Sequence, residues 1–315
     1  MPFVTAFYRA LGTGMVISVD SPIDDKVRSA MESLIEDYEH VLSRFRNDSL
    51  IAAIGKAEHG GSFDFPDWCA PLFDLYDALF SATSGAIDPC VGEDLIRLGY
   101  DASLSFTVTQ DAPEHLGALR GRAVWGRDVT RHGTTLVTHE PVQLDFGACG
   151  KGYLVDLLGR MLQSSQFVID AGGDLLIHAK QPISVALEDP EDQSHAIGIA
   201  HIANGALCAS APSRRHWNVA VNERTQIAIH HLLNAIDGLP AQQTEASWAY
   251  IPANATLNLA RDYPTAVADG LATALFVSDV AQLQRTFDFT YATLDESRQI
   301  AVSRNFPAEL FLRSA

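Results

Sequence analysis

An α+β protein built as two lobes around a cleft is what this sequence predicts, and three observations carry that expectation. The chain has 315 residues, enough for one large domain or two ordinary ones. Hydrophobic residues make up 47% and charged residues 19%, the balance of a well-packed globule rather than of a disordered or fibrous chain. Strand-like and helix-like stretches are interleaved without a strict βαβ rhythm, which argues against a doubly wound parallel sheet. No repeat, low-complexity tract or long linker marks a boundary, so residues 1–315 read as one unit whose lobes are discontinuous in sequence.

Residues 3–19 read as a strand that turns at Gly12-Thr13-Gly14. Ser21-Pro22 supplies a cap residue and a first-turn proline, the signature of a helix start. Val27, Met31, Leu34, Ile35, Tyr38, Val41, Leu42 and Phe45 keep helical spacing on one side, which predicts a long amphipathic helix ending near Phe45. A second helix is expected from Pro71 to about Ala82, where Phe73, Tyr76, Leu79 and Phe80 share a face and Ser84-Gly85 ends it. GAIDPCVGEDLIRLGYD reads as a loop and short helix, and alternating apolar stretches over 117–138 suit a hairpin or small sheet. A helical pattern returns from Gly150 to about Leu162, and FVIDAGGDLLIHA reads as two strand segments flanking a glycine pair. Further strands are expected at 183–187, 206–210 and 217–221, a helix after Ala266, and mixed edge structure over 289–311.

Composition narrows the partners. Lys and Arg number 22 against 39 Asp and Glu, a net charge of −17, which repels nucleic acid and anionic lipid. A phosphate ligand must therefore find locally positive ground. No window reaches the roughly 18 apolar residues of a membrane span. The start, MPFVTAFYRALGTGMVISVD, lacks a basic region followed by an apolar core, so a chain beginning at Met1 is expected in the cytoplasm. Cys69, Cys90, Cys149 and Cys208 form no C-x-x-C pair, so core packing rather than zinc or a disulfide framework is expected of them.

Four stretches could carry chemistry. In LDFGACGKGYLVDLL, Lys151 stands between two glycines at the head of a helix. A Walker A loop is excluded, because Asp145 holds the first glycine position and Gly152 follows the lysine. What survives is a glycine-rich turn whose free N–H groups favour an anion, with lysine as a point charge beside it; a solvated lysine at a tight turn fits equally. In AVADGLATALFV, Asp269 and Thr273 lie four apart on one face of a predicted helix. A carboxylate and a hydroxyl suit Mg²⁺ that keeps waters and substrate phosphates, while a helix cap is the other reading. In VIDAGGDLLI, Gly172-Gly173 between Asp170 and Asp174 lets a ligand approach the backbone, or is a plain turn. In HHLLNAIDGLP, His230 and His231 are a catalytic candidate or satisfied core residues. The third glycine of a dinucleotide fingerprint is missing after Gly12-x-Gly14, and no G-x-S-x-G or H-E-x-x-H occurs.

In their order along the chain these stretches resemble the ApbE-type flavin transferases. LGTG at 11–14 resembles that family's M-G-T, and LSRFRNDSL at 42–50 is similar to F-S-x-F-x-x-x-S-E. SGAIDPCVGEDLIRLGY at 84–100 looks like G-x-F-D-P-T-V-x-P-L-x-x-x-W-G-F, and LDFGACGKGYLVD resembles L-D-L-G-G-I-A-K-G-Y-A-V-D. DAGGD and ADGLATAL resemble N-x-G-G-D and A-D-A-L-A-T-A-L, so the likeness covers most of residues 10–278.

The resemblance implies a two-lobed α+β fold with a ligand cleft between mixed sheets and packed helices. It implies FAD as substrate, Mg²⁺ on its diphosphate, transfer of FMN to a threonine or serine hydroxyl of an acceptor flavoprotein, and release of AMP. Asp269 and Thr273 would be side-chain metal ligands, with the main-chain oxygen of Gly150 as a third. Gly12, Thr13, Ser43, the Asp88 loop, Lys151, Gly172, Gly173, Asp174 and Ser210 would line the FAD site, and His231 would be the catalytic residue nearest the acceptor hydroxyl. An FAD pyrophosphatase and a non-catalytic flavin-binding protein are alternative readings of the same motifs. The sequence departs from the family where Asn234, Ala235 and Asp237 take the D, P and T positions of H-I-I-D-P-x-T-G. Ala209-Ser210-Ala211 stands in place of T-S-G, Leu50 in place of the glutamate, and Gly150 in place of an alanine. Asn-Ala for Asp-Pro is expected to loosen the turn that holds His231.

Overall fold

A computed structural model describes residues 1–222 and 225–311. The chain opens on an antiparallel hairpin of β1 (Phe3–Ala10) and β2 (Thr13–Val19). Leu11 and Gly12 both take left-handed φ, 54° and 70°, the primed turn that matches strand twist, so the reversal falls one residue before Gly12-Thr13-Gly14.

Helix α1 (Asp25–Leu42) is capped by Asp24 rather than by Ser21, because the Asp24 carboxylate accepts from the Lys26 N–H at 2.7 Å. The helix stops at Leu42, and Phe45 continues its apolar series only by packing on Tyr100. The short α2 (Leu50–Lys56) and β3 (Gly61–Asp64) escaped the sequence reading, since elements this brief show one apolar repeat or none. Helix α3 (Ala70–Ala82) matches expectation and buries Phe73, Tyr76 and Leu79. After α4 (Gly92–Arg97) and α5 (Ala112–His115), β4 (Val129–His132) and β5 (Thr135–Thr138) join β3 in a three-stranded sheet.

Helix α6 (Gly150–Gly159) leads into β6 (Phe167–Asp170), β7 (Asp174–Glu188) and β8 (Ala196–Ser210). The stretches expected at 183–187 and 206–210 are segments of these two long strands. A hairpin of β9 (His216–Asn222) and β10 (Thr225–His230) follows, then the two-residue pair β11 (Leu233–Asn234) and β12 (Leu239–Pro240), and β13 (Thr244–Pro252). Helices α7 (Asn258–Asp262), α8 (Pro264–Ala274) and α9 (Val280–Leu283) precede β14 (Thr290–Asp295), β15 (Ile300–Val302) and β16 (Ala308–Leu310).

The principal sheet runs β1-β2-β6-β7-β8-β13-β14-β15, every pair antiparallel, and β16 pairs with the first half of β8. The tail is therefore not all edge structure: β14 lies between two strands and buries Ala292 and Leu294. On one face of the sheet Ile17, Ile169, Ala206 and Ile251 pack with Met31, Tyr153, Leu154 and Leu271 of α1, α6 and α8. Ile177, Ile202, Leu207, Trp248 and Phe306 fill the opposite face. A separate cluster of Leu95, Leu98, Tyr100, Leu116, Trp217 and Ile229 ties α4 and α5 to the β9–β10 hairpin. The fold is α+β, as the composition and patterning predict.

Helices α6 and α8 lie in backbone contact. A Cβ at Gly152 would come within 2.3 Å of the Thr265 carbonyl oxygen, so only glycine permits that approach. Alanines at 266, 268, 272 and 274 keep α8 slim where it lies under the sheet.

Candidate functional site

The start of α8 has no side-chain cap of its own, because Tyr263 precedes Pro264. Asp156 of α6 fills that role from outside, accepting the Thr265 and Ala266 N–H groups at 3.1 and 2.8 Å. Burial pushes its carboxyl up to about 7, against the opposing pull of those hydrogen bonds. Asp156 was not singled out in the sequence, although a Tyr-Pro helix start without a Ser, Thr, Asp or Asn before it was a signal that a cap must come from elsewhere.

With α8 held in this way, Asp269 faces the first turn of α6. Its carboxylate accepts the Gly152 N–H at 3.0 Å and lies 3.1 and 3.3 Å from the Lys151 ammonium. The same ammonium sits 2.7 Å from Asp174, the first residue of β7. Both carboxylates are 1% exposed, whereas the Lys151 side chain keeps 30% of its surface. Burial works against the ammonium, but the two carboxylates outweigh it and hold Lys151 above its ordinary value. Burial and mutual repulsion raise Asp269, opposed by Lys151 and the Gly152 N–H. The cluster thus carries two acids and one base.

Thr273, one turn further along α8, places its hydroxyl 3.4 Å from the Ala148 carbonyl and 3.5 Å from the Ser210 hydroxyl. The Gly150 oxygen, expected as a metal ligand, accepts the Tyr38 hydroxyl at 2.8 Å, and the carbonyl beside Thr273 is that of Ala148. Among the described residues no three His, Cys, Asp or Glu side chains converge. Asp269, Thr273, Ser210 and the Ala148 carbonyl are all hard oxygen donors, and such a set fits Mg²⁺ that draws its remaining ligands from water and phosphate.

The glycine turns gather at the same end of the sheet. A Cβ at Gly172 would meet the Thr13 hydroxyl at 2.9 Å, and one at Gly12 would stand 3.7 Å from the Arg215 guanidinium. Gly173, at φ 106°, has open space where a Cβ would project, and its N–H donates to Asp170 at 3.2 Å. Gly12, Thr13, Gly172, Gly173, Asp174 and Lys151 are therefore one contiguous rim. Arg44 extends it by bonding Asp145 and the Tyr100 carbonyl, and Arg215 donates to the Tyr100 hydroxyl. Ser43 caps the end of α1 next to Arg44, its N–H donating to the Glu39 carbonyl at 3.0 Å.

Asp88 is placed differently from expectation. Its side chain is 1% exposed and pairs with Arg122 at 3.4 Å, while accepting the Cys90 and Trp125 N–H groups. Arg122 also pairs with buried Asp94 at 2.8 Å and donates to the Ala235 carbonyl at 2.7 Å. Asp88 is thus turned inward, because a carboxylate this enclosed must spend its lone pairs on protein donors.

His231 follows β10 and donates from Nδ1 to the Arg215 carbonyl at 3.2 Å. A carbonyl only accepts, so the proton is on Nδ1 and Nε2 carries the free lone pair. Burial pushes the imidazole down to about 4, opposed by the bond to that carbonyl, so the ring is neutral at pH 7. His230 is satisfied locally, with Nε2 on the Ala241 carbonyl at 2.7 Å.

The turn after His231 is held firmly, contrary to expectation. Asn234 accepts the Ile236 N–H at 3.0 Å as an aspartate would, and the Gly238 N–H returns to the Asn234 carbonyl at 2.7 Å. Ala235 donates to the Ala86 carbonyl at 3.1 Å, a bond proline could not make.

Fold and site together define an α+β protein that gathers hard oxygen donors, a doubly bridged lysine and a neutral histidine near glycine turns. Residues 11–293 match the model of the ApbE family, and the chain belongs to that family. It is 27% identical over 286 residues to the FAD:protein FMN transferase of Treponema pallidum, covering 80% of this chain and 72% of that protein. Its identity to the protein of the same name from Klebsiella pneumoniae is 23% over 274 residues, covering 83% and 74%. The ApbE protein of Thermotoga maritima shares the fold, with a TM-score of 0.79 at 20% identity over 98% of this chain and 99% of that one. The flavin transferase ApbE of Vibrio cholerae does so at 0.76 and 17% identity, over 96% and 97%.

Proposed function

We propose that this chain is an FAD:protein FMN transferase that uses Mg²⁺, modifies a threonine or serine hydroxyl of an acceptor flavoprotein and releases AMP. The observation that carries the reading is the convergence of Asp269, Thr273, Ser210, Asp174 and Lys151 at the α6–α8 contact, from elements far apart in sequence. Asp269, Thr273 and neighbouring main-chain oxygens would hold Mg²⁺, which when bound withdraws charge from the diphosphate. FAD lies with its diphosphate along the Gly12 and Gly172-Gly173 turns, where the backbone admits close approach. His231 Nε2 takes the proton of the acceptor hydroxyl, whose oxygen bonds to the FMN-side phosphorus. The bond from that phosphorus to the bridging oxygen breaks, and AMP leaves with the electron pair.

The hydrogen-bonded turn at Asn234 and Ala235 supports a working transferase over a carrier that has lost turnover. Residues 1–315 are read as one unit of two lobes. Among the described residues no helix is long and apolar enough to cross a membrane. All four cysteines are buried and unpaired, which supports a reducing compartment, and the cytoplasm is the one proposed.

The test is incubation with FAD, Mg²⁺ and an acceptor bearing a Thr/Ser flavinylation motif. Covalent flavin fluorescence on the acceptor with equimolar AMP is the expected result, and the absence of both overturns the reading. AMP formed without acceptor assigns an FAD pyrophosphatase instead, and FAD bound without AMP under any condition assigns a flavin-binding protein.

A further inference from the structure

Around the Lys151 cluster and the glycine turns, positive charge is distributed unevenly. Lys151 is bridged by Asp174 and Asp269, so that with both acids ionised its cluster is net negative and suited to attract a cation. Arg44 is neutralised by Asp145. Arg215 differs, because among the described residues no carboxylate lies within 4.0 Å of its guanidinium, which donates instead to the neutral Tyr100 hydroxyl. Asp170, the remaining acid beside the glycine pair, is exposed and accepts the Gly173 N–H.

The position of Arg215 is equally specific. Its Nη2 lies 3.7 Å from where a Cβ of Gly12 would be, and Gly12-Thr13 in turn rests on Gly172. Its backbone carbonyl accepts both N–H groups of His231, from the main chain at 3.3 Å and from Nδ1 at 3.2 Å. One residue thus orients the histidine through its main chain and presents an unneutralised cation to the glycine rim through its side chain.

We infer that Arg215, rather than Lys151, is the cation that binds the anionic phosphate of the flavin nucleotide, while the Lys151 cluster serves the metal. This rests on the proposed function for the identity of the nucleotide. A guanidinium matches two phosphate oxygens at once and stays charged under all working conditions. Gly12 and Gly172-Gly173 supply the uncovered backbone over which a diphosphate reaches it. Because the same residue fixes the His231 tautomer, an anion seated on the side chain steadies the carbonyl that aims the catalytic nitrogen.

The experiment is calorimetric titration of inorganic pyrophosphate into the full chain in EDTA, for wild type, R215Q and R215K, with melting curves to verify folding. R215Q is expected to bind at least about tenfold more weakly, the scale of one lost charge-assisted bond, and R215K to fall between R215Q and wild type, because an ammonium keeps the charge but not the two-oxygen fit. Undiminished binding by R215Q, or no binding by wild type, overturns the assignment, as does an R215Q defect confined to the KM of the acceptor. Wild-type protein titrated with riboflavin and with FMN gives a measurement that needs no variant. FMN binding at least about fivefold tighter than riboflavin supports the assignment, and equal affinity overturns it. Metal-free pyrophosphate binding that is lost in R215Q, from a protein that never yields AMP, would sink the transferase reading and keep this one.

Discussion

Asp269 illustrates how one side chain can serve both architecture and chemistry. It receives the Gly152 N–H, which joins α6 to α8, and both its oxygens lie within hydrogen-bond reach of the Lys151 ammonium. Asparagine at 269 keeps an acceptor for Gly152 but loses the charge. D269N is therefore expected to lower Mg²⁺-dependent AMP release at least about 100-fold, on the scale of a lost electrostatic contact in a catalytic site, with a much smaller change in melting temperature. Parallel losses of activity and melting temperature would make Asp269 a structural residue alone. At Ala235 the residue-scale expectation reverses a family pattern. Proline there would delete the N–H that bonds Ala86, in a residue 1% exposed. A235P is expected to destabilise by about 1–3 kcal/mol, the cost of an unpaired buried carbonyl, and to leave turnover no higher than wild type. A rise in melting temperature would show that the turn prefers the proline.

Helices α6 and α8 carry the candidate site between them, and Asp156 supplies two of the hydrogen bonds that join them. Its folded-state carboxyl titrates near 7, above the ordinary value of 3.8, so between those values the folded chain holds the proton more tightly than the unfolded chain. The stability this contributes is complete below about pH 4 and is lost as pH rises through about 7, with a slope of at most about 1.4 kcal/mol per unit. Denaturant melts of wild type and D156N across that window are expected to show wild type losing stability relative to the variant. A constant difference between them would place the Asp156 titration elsewhere. Legibility in the sequence follows element length. Helix α3 repeats its apolar face over 13 residues, whereas α2 has seven and β11 only two. Short elements are held by caps and partners, such as Ser49 accepting from Ala52 at 3.1 Å, rather than by an internal period.

For the whole molecule, a net charge of −17 means that binding of an anionic dinucleotide, as proposed, would rest on locally placed positive charge. Removing divalent ions with EDTA is expected to abolish AMP release and readdition of Mg²⁺ to restore it. The unliganded melting temperature should be unchanged, since Lys151 already pairs with both acids. Turnover that persists in EDTA would exclude a required metal. The sequence alone determined the α+β class, the principal helices and the pairing of Asp269 with Thr273 on one face, because each is a local matter of composition and period. It also marked the glycine turns and Lys151 as chemically loaded. Only the tertiary structure decided how charge is shared among them. The partners lie far apart along the chain: Asp156 caps α8 from α6, Asp88 turns inward to Arg122, and Arg215 has, among the described residues, no carboxylate within 4.0 Å. Whether a carboxylate is cap, ligand or ion pair depends on which donors folding brings within about 3 Å, and that distance is set by packing rather than by order in sequence.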